Sequence, residues 1–158
     1  MKIDAYDDSK LEAIVQLSLR AWAPVFESIA SAMDPDVYRE QHPDWRKTQR
    51  KAVESTCADE SFHVQVASEG SKTVGFVALR LHAEDRMGEI YMIAVDPDFQ
   101  RRGIARALTE HSLAWLKEAG MTTVMVETGG DPGHAPARRT YESAGFRLFP
   151  VARYFKKL

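Results

Sequence analysis

The stretch Ile90-Tyr91-Met92-Ile93-Ala94-Val95-Asp96-Pro97-Asp98-Phe99-Gln100-Arg101-Arg102-Gly103-Ile104-Ala105 decides how this chain is read. Ile90 to Val95 is a short apolar run with β-branched and aromatic residues, the pattern of a strand buried on both faces. Asp96 and Pro97 end it. Beyond Gly103, the residues Ile104, Ala105, Leu108, Trp115, Leu116 and Ala119 fall on one stripe and Arg106, Glu110 and Lys117 oppose it, so a helix follows and Gly120 stops it. The first N–H groups of a helix have no internal acceptor and sit at the positive end of its dipole, which suits an anion. A glycine there allows close approach and unusual backbone angles. Arg101 and Arg102 at the same turn are side chains that a phosphate-rich ligand would use, and the construction points to a bound pyrophosphate. A nicotinamide-type fingerprint is not met, because it needs three glycines near the first strand of a βαβ unit.

Outward from this turn, Ile3 to Tyr6 reads as a first strand, and Ser9 with Glu12 as a capping box ahead of a helix to about Trp22, where Pro24 bars simple continuation. Asp34-Pro35 and Pro43-Asp44 look like helix starts, giving short helices near Asp36 to Glu40 and Trp45 to Thr56. Phe62 to Ala67 and Thr73 to Leu81 read as strands joined by a turn at Glu69 to Lys72, with Ala83 to Gly88 as the next connection. After Gly120 come a strand at Thr122 to Glu127, a Gly/Pro-rich loop from Thr128 to Gly133, a helix near Pro136 to Ala144, and strands near Phe146 to Phe149 and Val151 to Phe155.

Composition narrows the class. With 158 residues and 44% hydrophobic content, residues 1–158 are expected to form a single domain with an ordinary core. A formal net charge of −2 speaks against a nucleic-acid binder. No apolar run approaches the ~20 residues that span a bilayer, and the first residues lack a signal peptide's apolar core, so no membrane role and a cytoplasmic location are expected. Cys57 is the only cysteine and reads as a small buried hydrophobe. His42, His63, His82 and His111 show no spacing with Asp, Glu or Cys that suggests a metal site, and no metal is expected.

Gln100 to Ala105 satisfies Gln/Arg-x-x-Gly-x-Gly/Ala, the signature of the GNAT superfamily of acyl-CoA-dependent N-acetyltransferases, and His134 to Phe146 (HAPARRTYESAGF) resembles that family's C-terminal helix with its tyrosine and closing Gly-Phe. The resemblance covers the second half of the chain, from Thr73 onward. It implies an α/β fold with a mixed, mostly antiparallel sheet of six or seven strands flanked by about four to five helices, in which the strand ending at Val95 splays from the strand ending at Glu127. By the same resemblance the cosubstrate is acetyl-CoA. Main-chain groups of Ile93, Ala94 and Val95 would meet its pantetheine, and Arg101, Arg102, Gly103, Ile104, Ala105 and Arg106 its pyrophosphate.

The resemblance also implies catalytic roles. Tyr141 matches the helix tyrosine that protonates the departing thiolate, the alternative being a ring that only packs in the core. A backbone N–H of Ile93 or a neighbour would hold the oxyanion. Two carboxylates stand as candidate bases: Glu89, at the position used by histone-acetylating members and favoured slightly, and Glu127, near the position used by ribosomal-protein-acetylating members but followed by a longer loop. A base acting through ordered water is a further option. His134 stands where many members have an asparagine, seven residues before the tyrosine; either side chain can hydrogen-bond a pantetheine amide, and histidine could also act as a base.

The function implied is direct transfer of an acetyl group to a primary amine of a small molecule, peptide or protein, with a homodimer expected from family habit. The acceptor pocket would lie between Trp22 to Trp45 and Thr128 to His134, with Trp22, Phe26, Tyr38 and Trp45 as an apolar wall and Glu27, Asp34 and Asp36 attracting a cation. The rival readings are a non-catalytic acyl-CoA sensor and a protein or RNA interaction domain on the same scaffold.

Overall fold

In the computed structural model, which describes residues 1–158, five strands form one sheet in the order β1-β2-β3-β4-β5. They are β1 (Lys2–Ala5), β2 (Phe62–Glu69), β3 (Lys72–His82), β4 (Met87–Val95) and β5 (Thr123–Val126). The first four are antiparallel neighbours and β5 joins β4 in parallel. Five helices flank them: α1 (Leu11–Ala32), α2 (Pro35–Gln41), α3 (Trp45–Ala58), α4 (Ile104–Glu118) and α5 (Ala135–Ser143).

Alternation along the strands divides the core in two. On one face Val64, Val66, Phe76, Ala78 and Ala94 meet Ile14, Val15 and Leu17 of α1 and Val53 of α3. On the other Ala67, Val77, Leu79, Ile90 and Val95 meet Ile104, Leu108 and Leu116 of α4. Gly88 on β4 is a glycine because a Cβ there would stand 2.5 Å from Leu116 Cδ2, and Leu116 is fully buried and has nowhere to retreat. Gly88→Ala is expected to lower unfolding free energy by about 1–3 kcal/mol, measured by urea denaturation.

Several elements differ from expectation. The Ser9/Glu12 capping box does not form, because Asp7 is the cap: its carboxylate accepts the Ser9 N–H at 2.9 Å and leads into a 3₁₀ turn at Asp8–Lys10, from which α1 starts at Leu11. Glu12 instead accepts from Gln16 and Arg50. α1 also continues through Pro24 to Ala32. Proline in a helix interior costs about 3 kcal/mol, and the burial of Ile14, Val15 and Leu17 along the same helix helps to offset it. The short helices α2 and α3 begin where Asp34 and Asp44 cap them through their side chains. On α4, Ala119 falls outside the buried stripe and is exposed, with Gly120 beyond it at φ +86°.

β4 begins at Met87, three residues before the apolar run, and is not buried throughout, since Tyr91 is 45% exposed against the ring of Phe62. The two strands expected after Gly145 are absent, leaving five strands rather than six or seven. Leu148, Phe149, Val151 and Tyr154 are exposed, so this apolar run has strand composition without a ladder to join, and Pro150 interrupts it without an N–H to donate.

Candidate functional site

A β-bulge opens the sheet. Along β3 and β4, Ala78 pairs with Met92 and Leu79 with Ile90, so Tyr91 is the extra residue. A bulge bends its strand and increases local twist. At the same level the parallel ladder to β5 stops, its last pair being Ile90 with Val126. β4 runs on to Val95 beside β3 alone. Its edge over Met92 to Val95, Ile93 and Ala94 included, therefore has no strand opposite it, and the polar groups on that edge are available to an extended ligand. Val95 is partly spoken for, because its carbonyl accepts from the Gln100 side chain at 3.1 Å.

The turn after β4 is shaped by Asp96, which is buried. It caps the 3₁₀ turn Pro97–Phe99 by accepting the Asp98 N–H at 3.0 Å and pairs with Arg20 of α1 at 3.0 Å and Lys72 of β3 at 3.5 Å. Then come two left-handed residues, Arg101 at φ +61° and Gly103 at φ +81°, and α4 begins at Ile104. Backbone of mixed handedness at a helix start is the kind of geometry that forms an anion-binding nest. The role of Gly103 is narrower than close packing. No protein atom lies within 4 Å of where its Cβ would stand, so within the protein it is the backbone angle that asks for glycine, and the space before it is open.

The basic side chains separate. Arg102 lies over the Phe99 ring, 4.8 Å from its centroid, and 4.0 Å from Glu69. Arg106 pairs with Glu110 on the exposed face of α4 at 2.7 Å. Arg101 is exposed and is neither ion-paired nor stacked on a ring. A non-glycine residue at positive φ is strained by about 1–2 kcal/mol. Arg101→Gly is thus expected to raise unfolding free energy by up to about 1 kcal/mol in urea denaturation, glycine's larger unfolded-state entropy taking back part of the gain.

Tyr141 is buried on α5, with its ring edge against Phe146, which packs against the α4-side core. Its hydroxyl has no hydrogen-bond partner within the protein, and burial pushes its pKa up to about 12. Glu89, largely buried, lies on β4 just before the bulge, and His82 Nε2 meets its carboxylate at 2.7 Å. His82 carries no motif of its own in the sequence. The register signals the pair, since His82 stands opposite Met87 and is the diagonal neighbour of Glu89. Glu127 is exposed just past β5, with Arg153 at 3.5 Å.

The loop before α5 is organised around His134. Asp131 accepts from His134 Nδ1 and, on its other oxygen, from Ser28 Oγ of α1 at 2.6 Å. Ser28 Oγ in turn accepts the Gly133 N–H at 2.8 Å. Burial alone would raise the Asp131 pKa, but the bonds from Ser28 and His134 outweigh it and hold the carboxyl below its ordinary value. Neither Ser28 nor Asp131 stood out in the sequence. The expected aromatic wall is largely turned on itself: Phe26 stacks on Trp45 at 4.5 Å and lies edge-on to His42, which Tyr38 also touches.

A family model described as Acetyltransferase (GNAT) family matches residues 22–146. A mycothiol acetyltransferase of Thermomonospora curvata is 36% identical over 86 residues, 54% of this chain and 28% of that protein. A [ribosomal protein bS18]-alanine N-acetyltransferase of Salmonella typhimurium is 35% identical over 98 residues, 54% of this chain and 65% of that protein. The chain thus spans less than two thirds of the length of either relative. Among solved structures, an aminoglycoside N-acetyltransferase in complex with CoA superimposes with a TM-score of 0.68 at 16% identity, over 99% of this chain and 93% of that one, a likeness of fold. With the signature turn at the head of α4, the tyrosine helix, the splayed β4 and β5 and a family match over more than half its length, the chain belongs to the GNAT acetyltransferase family.

Proposed function

We propose that the protein is an N-acetyltransferase that moves an acetyl group from acetyl-CoA directly to a primary amine of a small molecule or peptide, and that residues 1–158 act as one catalytic domain in the cytoplasm. The observation that carries this reading is the free edge of β4 leading straight into the nest at Arg101 and Gly103. The edge offers main-chain partners to pantetheine, and the nest with Ile104, Ala105 and the nearby Arg102 and Arg106 offers N–H groups and positive charge to a diphosphate. The names of the relatives support the reaction type, and the CoA complex of the aminoglycoside enzyme supports the cosubstrate.

In this reading the amine arrives protonated and must lose a proton before it attacks. Glu89 takes that proton, its carboxylate fixed by His82; Glu127, exposed to solvent, is the weaker candidate. The nitrogen then bonds to the thioester carbon, and a β4 backbone N–H near Ile93 holds the oxyanion. The C–S bond breaks and Tyr141 donates its proton to the sulfur. A phenol held neutral by burial suits a donor.

The test is to mix the purified protein with acetyl-CoA and a panel of small amines, amino acids and peptides while following free thiol. Amine-dependent thiol release is expected for at least one acceptor. Tight binding of acetyl-CoA with no release across a broad panel would instead support a sensor on the same fold.

A further inference from the structure

A protonated amine sheds two protons on its way to an amide: one before attack, and one from the nitrogen once the C–N bond has formed. Glu89 accounts for the first. We propose that His134 takes the second, with Asp131 and Ser28 as the residues that position it. This rests on the acetyltransfer reading above.

The loop from Thr128 to His134 is built to hold one imidazole. Asp131 occupies one ring nitrogen, Nδ1, which in the neutral ring makes that nitrogen the donor and leaves the lone pair on Nε2. Asp131 itself is held by Ser28 and by the Gly133 N–H at 3.2 Å. Arg138 donates to the carbonyls of Gly129 and Asp131, latching the loop onto α5. The two glycines make room for the arrangement: a Cβ on Gly129 would stand 2.5 Å from His134 Nδ1, and one on Gly133 would stand 2.5 Å from Ser28 Cβ. The imidazole remains 19% exposed, so it is not sealed from the loop's outer side. A carboxylate behind a histidine stabilises the imidazolium formed when Nε2 accepts a proton, the logic of an oriented general base.

Placement supports the same role. His134 stands at the N-cap of α5 and Tyr141 lies on the same short helix, seven residues on. In the proposed arrangement the thioester carbon and the attacking nitrogen lie between the Tyr141 phenol and Nε2 of His134. As the tetrahedral intermediate collapses, the nitrogen's proton passes to His134 and Tyr141's proton to the thiolate. His134 then releases the one net proton of the reaction to solvent, and the proton taken by Glu89 is exchanged through solvent for the one that reprotonates Tyr141.

His134→Asn tests this, because asparagine keeps a hydrogen-bonding amide in place but cannot carry the proton. Expected is a fall in kcat of about a hundredfold with coenzyme A affinity, by calorimetry, within about twofold of wild type. In His134→Ala, added imidazole is expected to restore part of the turnover. Asp131→Asn is expected to lower kcat with little change in KM for acetyl-CoA. Turnover of His134→Asn within about threefold of wild type would overturn the proposal, as would a His134→Ala deficit that imidazole leaves untouched. A wild-type protein that releases no thiol from acetyl-CoA with any amine overturns the acetyltransfer reading itself, a result distinct from an active wild type matched by its His134 variants.

Discussion

Tyr141→Phe is expected to turn over about a hundredfold more slowly than wild type while binding acetyl-CoA within about twofold as tightly, as rapid thiol-release kinetics and calorimetry would report. The substitution removes one oxygen and leaves the ring against Phe146, so packing is retained. The phenol makes no hydrogen bond inside the protein, and its loss leaves no partner stranded. In the proposed mechanism what goes is the proton for the leaving thiolate. Because burial raises the Tyr141 pKa to about 12, the phenol stays protonated around neutrality and on its mildly alkaline side, and a fall in rate there would have to come from another group. The sign for stability follows from the same shift. With a folded pKa above the unfolded value near 10, folding retains a proton that the unfolded chain gives up, so stability present below pH ~10 is lost as pH rises toward 12. Tyr141→Phe removes this contribution and should flatten that part of the alkaline unfolding curve. Unchanged turnover in the variant would leave Tyr141 as a packing residue only.

What could be read in advance was what local chemistry dictates. The turn from Val95 to Ile104 announces itself because a proline, a run of polar residues and a glycine separate two apolar patterns of different period, and the structure places strand, turn and helix there. The strap of residues joining distant elements was not legible. Asp96 reads as a strand terminator, yet it gathers Arg20 and Lys72 across three elements. Asp131 reads as loop, yet it meets Ser28 more than a hundred positions earlier in the chain. Pro24 reads as a stop, but the apolar face of α1 outweighs its local penalty. The bulge at Tyr91 leaves no mark in composition, because Ile90 to Val95 is apolar whether or not one residue is left out of register. The terminal run from Phe146 to Phe155 shows the converse: strand propensity is satisfied only when an edge is there to receive it.

Gly103→Val should weaken coenzyme A binding about a hundredfold, or roughly 2.7 kcal/mol, by calorimetry at near-physiological salt. The substitution acts in two ways, on stability through the backbone and on affinity through the side chain. The left-handed backbone at φ +81° strains a β-branched residue by about 1–2 kcal/mol, and the added side chain stands in the open space toward which the nest directs its N–H groups. Bonds from backbone N–H groups to an anion contribute about 1.5–3 kcal/mol each, so screening one or two of them is enough for the predicted loss. Gly120 separates the two effects. It lies at φ +86° past the other end of α4 and, like Gly103, has no protein atom within 4 Å of its missing Cβ. Gly120→Val carries the same backbone penalty and should lower thermal stability by a similar amount, yet it sits at the negative end of the helix dipole, where a diphosphate gains nothing. Equal loss of stability with unequal loss of affinity would locate the diphosphate at the start of α4. Equal affinity in the two variants would place the anion elsewhere, and with it the origin from which the thioester is laid along β4 toward Tyr141.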